Sequence, residues 1–161
     1  MRWMWIDRFT EFVPGERAVA IKNVSLAEEH LHDHFEAFPV HPPSLMIEGM
    51  AQTAGILVGQ ARDFKENVVL AKINRAEINA LCLPGDQITY EAVIESIAPE
   101  AAATKGTVYK NGEVIGSINL MFSYANKDAH STEGLSLPEE NFVFTGSFER
   151  MVSRFLEVTD D

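Results

Sequence analysis

His34 and Glu48 are the two side chains whose types best suit proton exchange with a substrate. Histidine has an ordinary pKa near neutral, which suits proton removal. Glu48 lies in an apolar run at residues 45–51, Leu-Met-Ile-Glu-Gly-Met-Ala, where a carboxyl group needs a hydrogen-bonding partner or must keep its proton. Gln52 follows one helical turn later and could donate to it. Taken alone, the pattern also suits a structural glutamate and a loop histidine without a catalytic role.

The neighbouring histidines suggest metal binding as an alternative. His30, His32 and His34 alternate, Asp33 lies between the last two, and His41 follows. In an extended segment the first three would share a face and could bind zinc through their imidazoles. The run is one residue short of the His-x-His-x-Asp-His motif of metallo-β-lactamase-like hydrolases, and this disrupts the ligand spacing. Metal-dependent chemistry therefore stays a minor alternative.

The composition predicts one globular domain and argues against several classes of partner. The chain has 161 residues, a formal net charge of −11 and 46% apolar residues. Negative charge disfavours nucleic-acid and anionic-membrane binding, since both reward positive charge. No apolar run reaches the roughly 18 residues of a membrane span. The single cysteine, Cys82, excludes an intrachain disulfide, and we expect a buried thiol in a reducing compartment, the cytoplasm.

A long helix should carry Glu48. Residues 17–24 have the pattern of a first strand, and residues 25–43 should be irregular. The helix then runs from Ser44 to about Arg62. Its first half is apolar on nearly all faces, so we expect the surrounding protein to enclose it.

Four β-rich stretches follow the helix without further helices between them. They cover residues 68–78, 87–95, 104–110 and 114–124, and Asn111-Gly112 is a strong hairpin signal between the last two. This meander order predicts an antiparallel sheet in an α+β domain. We assign residues 1–125 to this domain and residues 126–161 to a polar linker followed by an amphipathic C-terminal helix.

A longer motif carries a family resemblance. At constant spacing, and without a gap, the chain contains His34-Phe35, Pro39, Pro42, Leu45, Glu48 and Ala51-Gln52. A second block without a gap runs from Ile73-Asn74-Arg75-Ala76 to Pro84-Gly85-Asp86-Gln87. The two blocks resemble the His-Phe…Pro…Pro-Gly…Glu-Ala-x-Ala-Gln signature and the Pro-Gly-Asp turn of the FabZ/FabA-type 3-hydroxyacyl-[acyl-carrier-protein] dehydratases.

The resemblance implies a fold, an assembly and a reaction. The fold would be the hotdog fold, in which a five- to six-stranded antiparallel sheet wraps a long central helix. The assembly would be a homodimer, or a trimer of dimers, in which His34 of one subunit faces Glu48 of the other. The substrate would be a 3-hydroxyacyl thioester on acyl carrier protein or coenzyme A, and the family uses no metal or cofactor. His34 would remove the C2 proton, and Glu48 would protonate the departing C3 hydroxyl.

Pro43 departs from the family pattern at a position of chemical importance. The resemblance places a glycine there, whose backbone N–H stabilises the negative charge on the thioester oxygen, and proline has no N–H. We expect the helix to begin normally and the free N–H groups of Ser44 and Leu45 to be available, with Ser44 as the substitute donor. A dehydratase with a weakened oxyanion site is the resulting expectation.

The acyl chain of such a substrate needs a narrow apolar tunnel beside the catalytic pair. Met46, Ile47 and Met50 are the candidates to line it. Two alternatives to the dehydratase stay open. One is a non-catalytic acyl-binding or assembly subunit, which Pro43 favours; the other is an acyl-thioesterase that uses Glu48 as base or nucleophile.

Overall fold

The structure is a computed structural model that describes residues 3–35 and 37–125. It contains six strands and two helices in the order β1 (Arg8–Val13), β2 (Arg17–Asn23), α1 (His30–Asp33), α2 (Pro43–Gln60), β3 (Asn67–Ile78), β4 (Gln87–Ile97), β5 (Ala101–Lys110) and β6 (Glu113–Ala125). The predicted linker and C-terminal helix at residues 126–161 lie outside the described residues. None of the helices described is long and apolar enough to cross a membrane.

One antiparallel sheet of six strands packs against α2. The strand order is β1-β2-β4-β5-β6-β3, and α2 contacts five of these strands, from β2 to β6. The core lies between helix and sheet, where Tyr90 and Ile88 of β4 and Leu120 of β6 are fully buried. This is the predicted α+β hotdog architecture, with six strands.

The predicted meander order is wrong for β3. Of the four strands after α2, only β4, β5 and β6 pair in sequence order, while β3 pairs with β6 at the far edge and β4 pairs with β2. The exposure of the side chains agrees with this placement of β3. Alternate residues of β4 are buried against the helix, whereas every residue from Val69 to Glu77 in β3 is exposed, as expected for an edge strand.

Two elements were not predicted. The first strand is β1 rather than β2, and its register shifts between Phe9 and Glu11, which disrupts the alternation that marks a strand. The segment predicted to be irregular contains α1, a helix of four residues. Too few residues belong to α1 for a helical period to appear in the sequence.

Helix α2 begins at Pro43, with Pro42 as the N-cap residue in an extended conformation. From Gln52 to Gly59 every residue is buried, so the predicted enclosure is confirmed for the second half. The first half keeps one open side, since Pro43 and Ser44 are exposed and Glu48 is half-buried. One side of the N-terminal half of α2 is therefore open to solvent, whereas residues 52–59 are enclosed.

Candidate active site

Glu48 lies on the open side of α2 and is held through one of its two oxygens. Its Oε1 accepts hydrogen bonds from Gln52 Nε2 at 3.0 Å and from Trp3 Nε1 at 3.2 Å. Its Oε2 has no hydrogen-bond partner among the residues described. The predicted contact with Gln52, one turn along the helix, is thus present. The free Oε2 is the oxygen that a substrate could reach.

Gln52 ties Glu48 to the N-terminal segment, which we define as residues 3–7. The Gln52 Oε1 atom accepts from the Trp5 backbone N–H at 2.8 Å, and Gln52 Nε2 also donates to the Trp3 carbonyl at 3.1 Å. The amide is almost fully buried, so these bonds satisfy it. An amide with both ends engaged cannot rotate freely, and Glu48 therefore has a fixed donor beside it.

His34 is exposed at the end of α1. Its backbone N–H donates to the His30 carbonyl at 3.3 Å, and its ring contacts that of Phe35 with 4.2 Å between centroids. No hydrogen bond or ion pair joins His34 to Glu48 within the described part of one chain. The two predicted proton-transfer groups therefore do not form a pair inside a single subunit.

His30 and His41 form a pair that the sequence did not reveal. His30 Nε2 lies 3.1 Å from His41 Nδ1, and the Trp5 ring contacts both imidazoles. His41 is fully buried, and burial lowers its pKa to about 4. Its backbone N–H donates to the Cys82 carbonyl at 2.8 Å. The pair joins the segment that carries His34 to the segment that leads into α2.

The histidines do not have the arrangement expected for a zinc site. The segment that holds His30 and His32 is helical, so alternate residues point in different directions rather than sharing a face. Among the residues described, no three histidine, cysteine or acidic side chains lie close enough together to hold a metal ion. Cys82 is buried as predicted, and burial raises the pKa of its thiol to about 11.

The N-terminus of α2 offers one free backbone donor rather than two. The Pro42 carbonyl accepts from Leu45 N–H at 2.9 Å and from Met46 N–H at 3.3 Å, so the expectation of a free Leu45 N–H is wrong. The reason is that the N-cap carbonyl can close a tight first turn as well as a regular one. The Ser44 N–H has no partner among the residues described, and Ser44 is exposed.

The three residues predicted to line the acyl tunnel occupy different environments. Met46 and Met50 are fully buried, and a Cβ atom on Gly106 of β5 would lie 2.5 Å from Met50 Sδ. Both methionines are two residues from Glu48, about 200° around the helix axis, and they face the sheet. Ile47 is half-buried beside Glu48. The lining of a tunnel by these residues stays a prediction.

Local sequence patterns did not identify two residues near the site, Trp3 and Trp5, and they identified His30 and His41 only as candidate metal ligands. Trp3 and Trp5 contact each other edge to face, with 5.4 Å between centroids. The hydrogen bond from Trp3 to Glu48 spans 45 positions in sequence, and that from Trp5 to Gln52 spans 47, so no periodicity or spacing rule could reveal them.

Comparison with known proteins places most of the described fold in one family. A family model of the FabA-like domain matches residues 2–119. A 3-hydroxyacyl-[acyl-carrier-protein] dehydratase FabZ from Caldanaerobacter subterraneus subsp. tengcongensis is 35% identical over 126 residues, which is 78% of this chain and 89% of the relative. The FabZ of a Thermoanaerobacter species is also 35% identical, over 74% of this chain and 85% of the relative.

Solved structures with the same fold are more distant in sequence. A dehydratase heterocomplex, ApeI:P from Xenorhabdus doucetiae, superposes with a TM-score of 0.65 at 15% identity and covers 78% of this chain and 85% of its own. A thioesterase from Haemophilus influenzae superposes with a TM-score of 0.61, also at 15% identity, over 79% and 81% of the two chains. These two likenesses establish the hotdog fold, and the sequence matches establish the family: this chain belongs to the FabZ/FabA-type 3-hydroxyacyl-[acyl-carrier-protein] dehydratases.

Proposed function

We propose that this chain is a dehydratase that removes water from a 3-hydroxyacyl thioester to give a trans-2-enoyl thioester, in fatty-acid biosynthesis. The observation that carries the proposal is the Glu48 carboxyl, half-buried on the open side of α2 with Oε2 unpartnered. The FabZ relatives act, by name, on acyl-carrier-protein thioesters, and we infer the same carrier here. The thioesterase alternative has less support, because the thioesterase neighbour is 15% identical and the dehydratase relatives are 35% identical.

The two candidate groups divide one elimination between them. His34, as its neutral imidazole, takes a proton from C2 of the acyl chain, and the C2 electron pair forms the C2–C3 double bond. The C3–O bond breaks, and Glu48 donates a proton from Oε2 so that the hydroxyl leaves as water. The imidazolium and the carboxylate then exchange protons with solvent, which restores both groups. The step needs no oxidant, reductant or metal.

The Ser44 N–H is the donor that we assign to the thioester oxygen. As the proton leaves C2, negative charge collects on that oxygen, and a fixed donor there lowers the barrier. Pro43 cannot supply an N–H, and Leu45 N–H is engaged with Pro42. The Ser44 N–H is exposed at the positive end of α2 and points out of the helix, which supports this assignment.

The active site is proposed to be completed by a second copy of the chain. No hydrogen bond or ion pair joins His34 to Glu48 in the described part of one subunit, and β3 is a long edge strand with exposed Val69, Leu70 and Ile73. An exposed apolar edge is a template for pairing with another strand. A homodimer joined along β3 would cover this edge, and it would let His34 of the partner subunit approach Glu48.

Two single variants with matched controls test the assignment. His34→Ala and Glu48→Gln should each lower hydration of an enoyl thioester by at least about 10²-fold, with the fold intact by circular dichroism. His32→Ala, an exposed histidine on the same short helix, and Glu113→Gln, an exposed carboxylate on β6, should keep wild-type turnover. Near-wild-type activity in either catalytic variant would overturn the assignment, and release of free acid from the thioester would make the protein a thioesterase.

A further inference from the structure

The N-terminal segment supplies Glu48 with a hydrogen-bond donor that sequence motifs do not predict. Trp3 Nε1 lies 3.2 Å from Glu48 Oε1, the oxygen that already accepts from Gln52. An indole N–H can donate but cannot accept. Because Oε1 already accepts two hydrogen bonds, it is the less favourable oxygen to protonate. A proton carried by this carboxyl group belongs on Oε2.

The neighbours of Trp3 hold it in place although it is exposed. Its side chain is 61% exposed, yet its carbonyl accepts from the buried Gln52 amide and its ring rests edge to face on Trp5. Trp5 is itself buried and donates its backbone N–H to Gln52. The indole is thus held in place through its own backbone and its neighbour.

We propose that Trp3 is a positioning residue for the Glu48 carboxyl and that its indole N–H selects Oε2 as the proton-donating oxygen. The proposal rests on the proposed role of Glu48 as the acid of the dehydration. A carboxyl group that could turn about its terminal bond would present its proton to the C3 hydroxyl only part of the time. Donors on Oε1 hold the group in one orientation, which is the preorganisation that proton transfer rewards.

Tyr109 of β5 provides a matched control outside the site. Its hydroxyl donates to Glu91 Oε2 at 2.6 Å, so Tyr109→Phe removes an aromatic donor to a carboxylate that is not Glu48. A sharper variant replaces Trp3 with 3-benzothienylalanine, in which sulfur takes the place of the N–H and the ring outline is kept. Trp3→Phe removes the same donor together with part of the ring.

The test is steady-state kinetics on one 3-hydroxyacyl thioester. The benzothienylalanine variant and Trp3→Phe should lower kcat by roughly 3- to 30-fold, the range expected for loss of one orienting hydrogen bond, with KM within about twofold of wild type. Tyr109→Phe should lose stability but keep kcat within about twofold. The split between kcat and KM matters because a role in substrate binding would move KM instead.

An activity-independent measurement separates this inference from the proposed function. The chain has two tryptophans, so its indole N–H groups give two resolvable NMR resonances. Glu48→Ala should shift the Trp3 resonance and leave that of Trp5 nearly unchanged. Unchanged kcat in the benzothienylalanine variant, or a changed KM with kcat kept, would overturn the positioning role. Full activity in Glu48→Gln would instead overturn the proposed function, whatever the Trp3 variants do.

Discussion

Acidification from about pH 7.5 to about pH 5 should destabilise the protein through His41. Its imidazole is fully buried, Nδ1 faces His30 Nε2 at 3.1 Å, and Nε2 has no partner among the residues described. Burial first, and the neighbouring His30 second, lower its pKa from 6.5 to about 4. The unfolded chain therefore takes up a proton near pH 6.5 that the folded chain does not accept until about pH 4.

The direction and size of the effect follow from this difference in proton uptake. Above pH 7 both states hold a neutral ring, and the pKa difference has no effect on stability. As the pH falls below 6.5 the unfolded state gains a proton and becomes favoured, by about 2 kcal/mol at pH 5. Burial lowers the pKa of His30 as well, which adds to the loss. Nearby Glu28 favours the charged imidazole and Lys22 disfavours it.

Urea unfolding at a fixed protein concentration, repeated at several values between about pH 7.5 and pH 5, measures the effect. His41→Phe keeps a ring in the same buried position and removes the titrating group. Its free energy of unfolding should therefore fall by clearly less than that of wild type over this pH range. His32→Phe changes an exposed histidine, and its free energy of unfolding should depend on pH as that of wild type does. If the free energy of unfolding falls equally with pH in His41→Phe and wild type, the assignment of acid sensitivity to the His30–His41 pair is refuted.

Two further predictions concern α2. Pro43→Gly restores an N–H at the start of the helix and should raise the dehydration rate by up to about 10²-fold. It should also lower the free energy of unfolding by about 1 kcal/mol. An unchanged rate in the folded variant would mean that the site works without a donor at this position. Gly49→Ala should lower the free energy of unfolding by roughly 1–3 kcal/mol, because its Cβ would lie 2.5 Å from Tyr90 Cζ. Equal urea midpoints for wild type and Gly49→Ala would contradict this packing argument.

Local patterns predicted the parts of the fold that depend on neighbouring residues. The helix that carries Glu48 follows from its apolar faces, and the bond from Gln52 to Glu48 follows from the helical spacing of four. The β5–β6 hairpin follows from Asn111-Gly112, whose residues adopt the positive φ values of 51° and 91° that such a turn requires.

The remaining features depend on contacts between distant residues. The edge position of β3 follows from its pairing with β6, from which β4 and β5 separate it along the chain, and local sequence patterns do not contain that information. The contacts of Trp3 with Glu48 and of His30 with His41 likewise join separate segments. The prediction of a free Leu45 N–H was wrong because Pro42 directs its carbonyl to the first helical turn. The general rule for helix ends does not predict the conformation of this residue.

Complementation between inactive variants tests the central claim, a dehydratase site shared by two subunits, most directly. His34→Ala and Glu48→Gln, unfolded together and refolded as a mixture, should form half of their dimers as heterodimers, each with one intact site and one doubly altered site. Dehydration by the mixture should then return to about a quarter of the wild-type rate, while either variant refolded alone stays inactive. A mixture as inactive as its components, in preparations shown to exchange subunits, would contradict a site built from His34 of one subunit and Glu48 of the other.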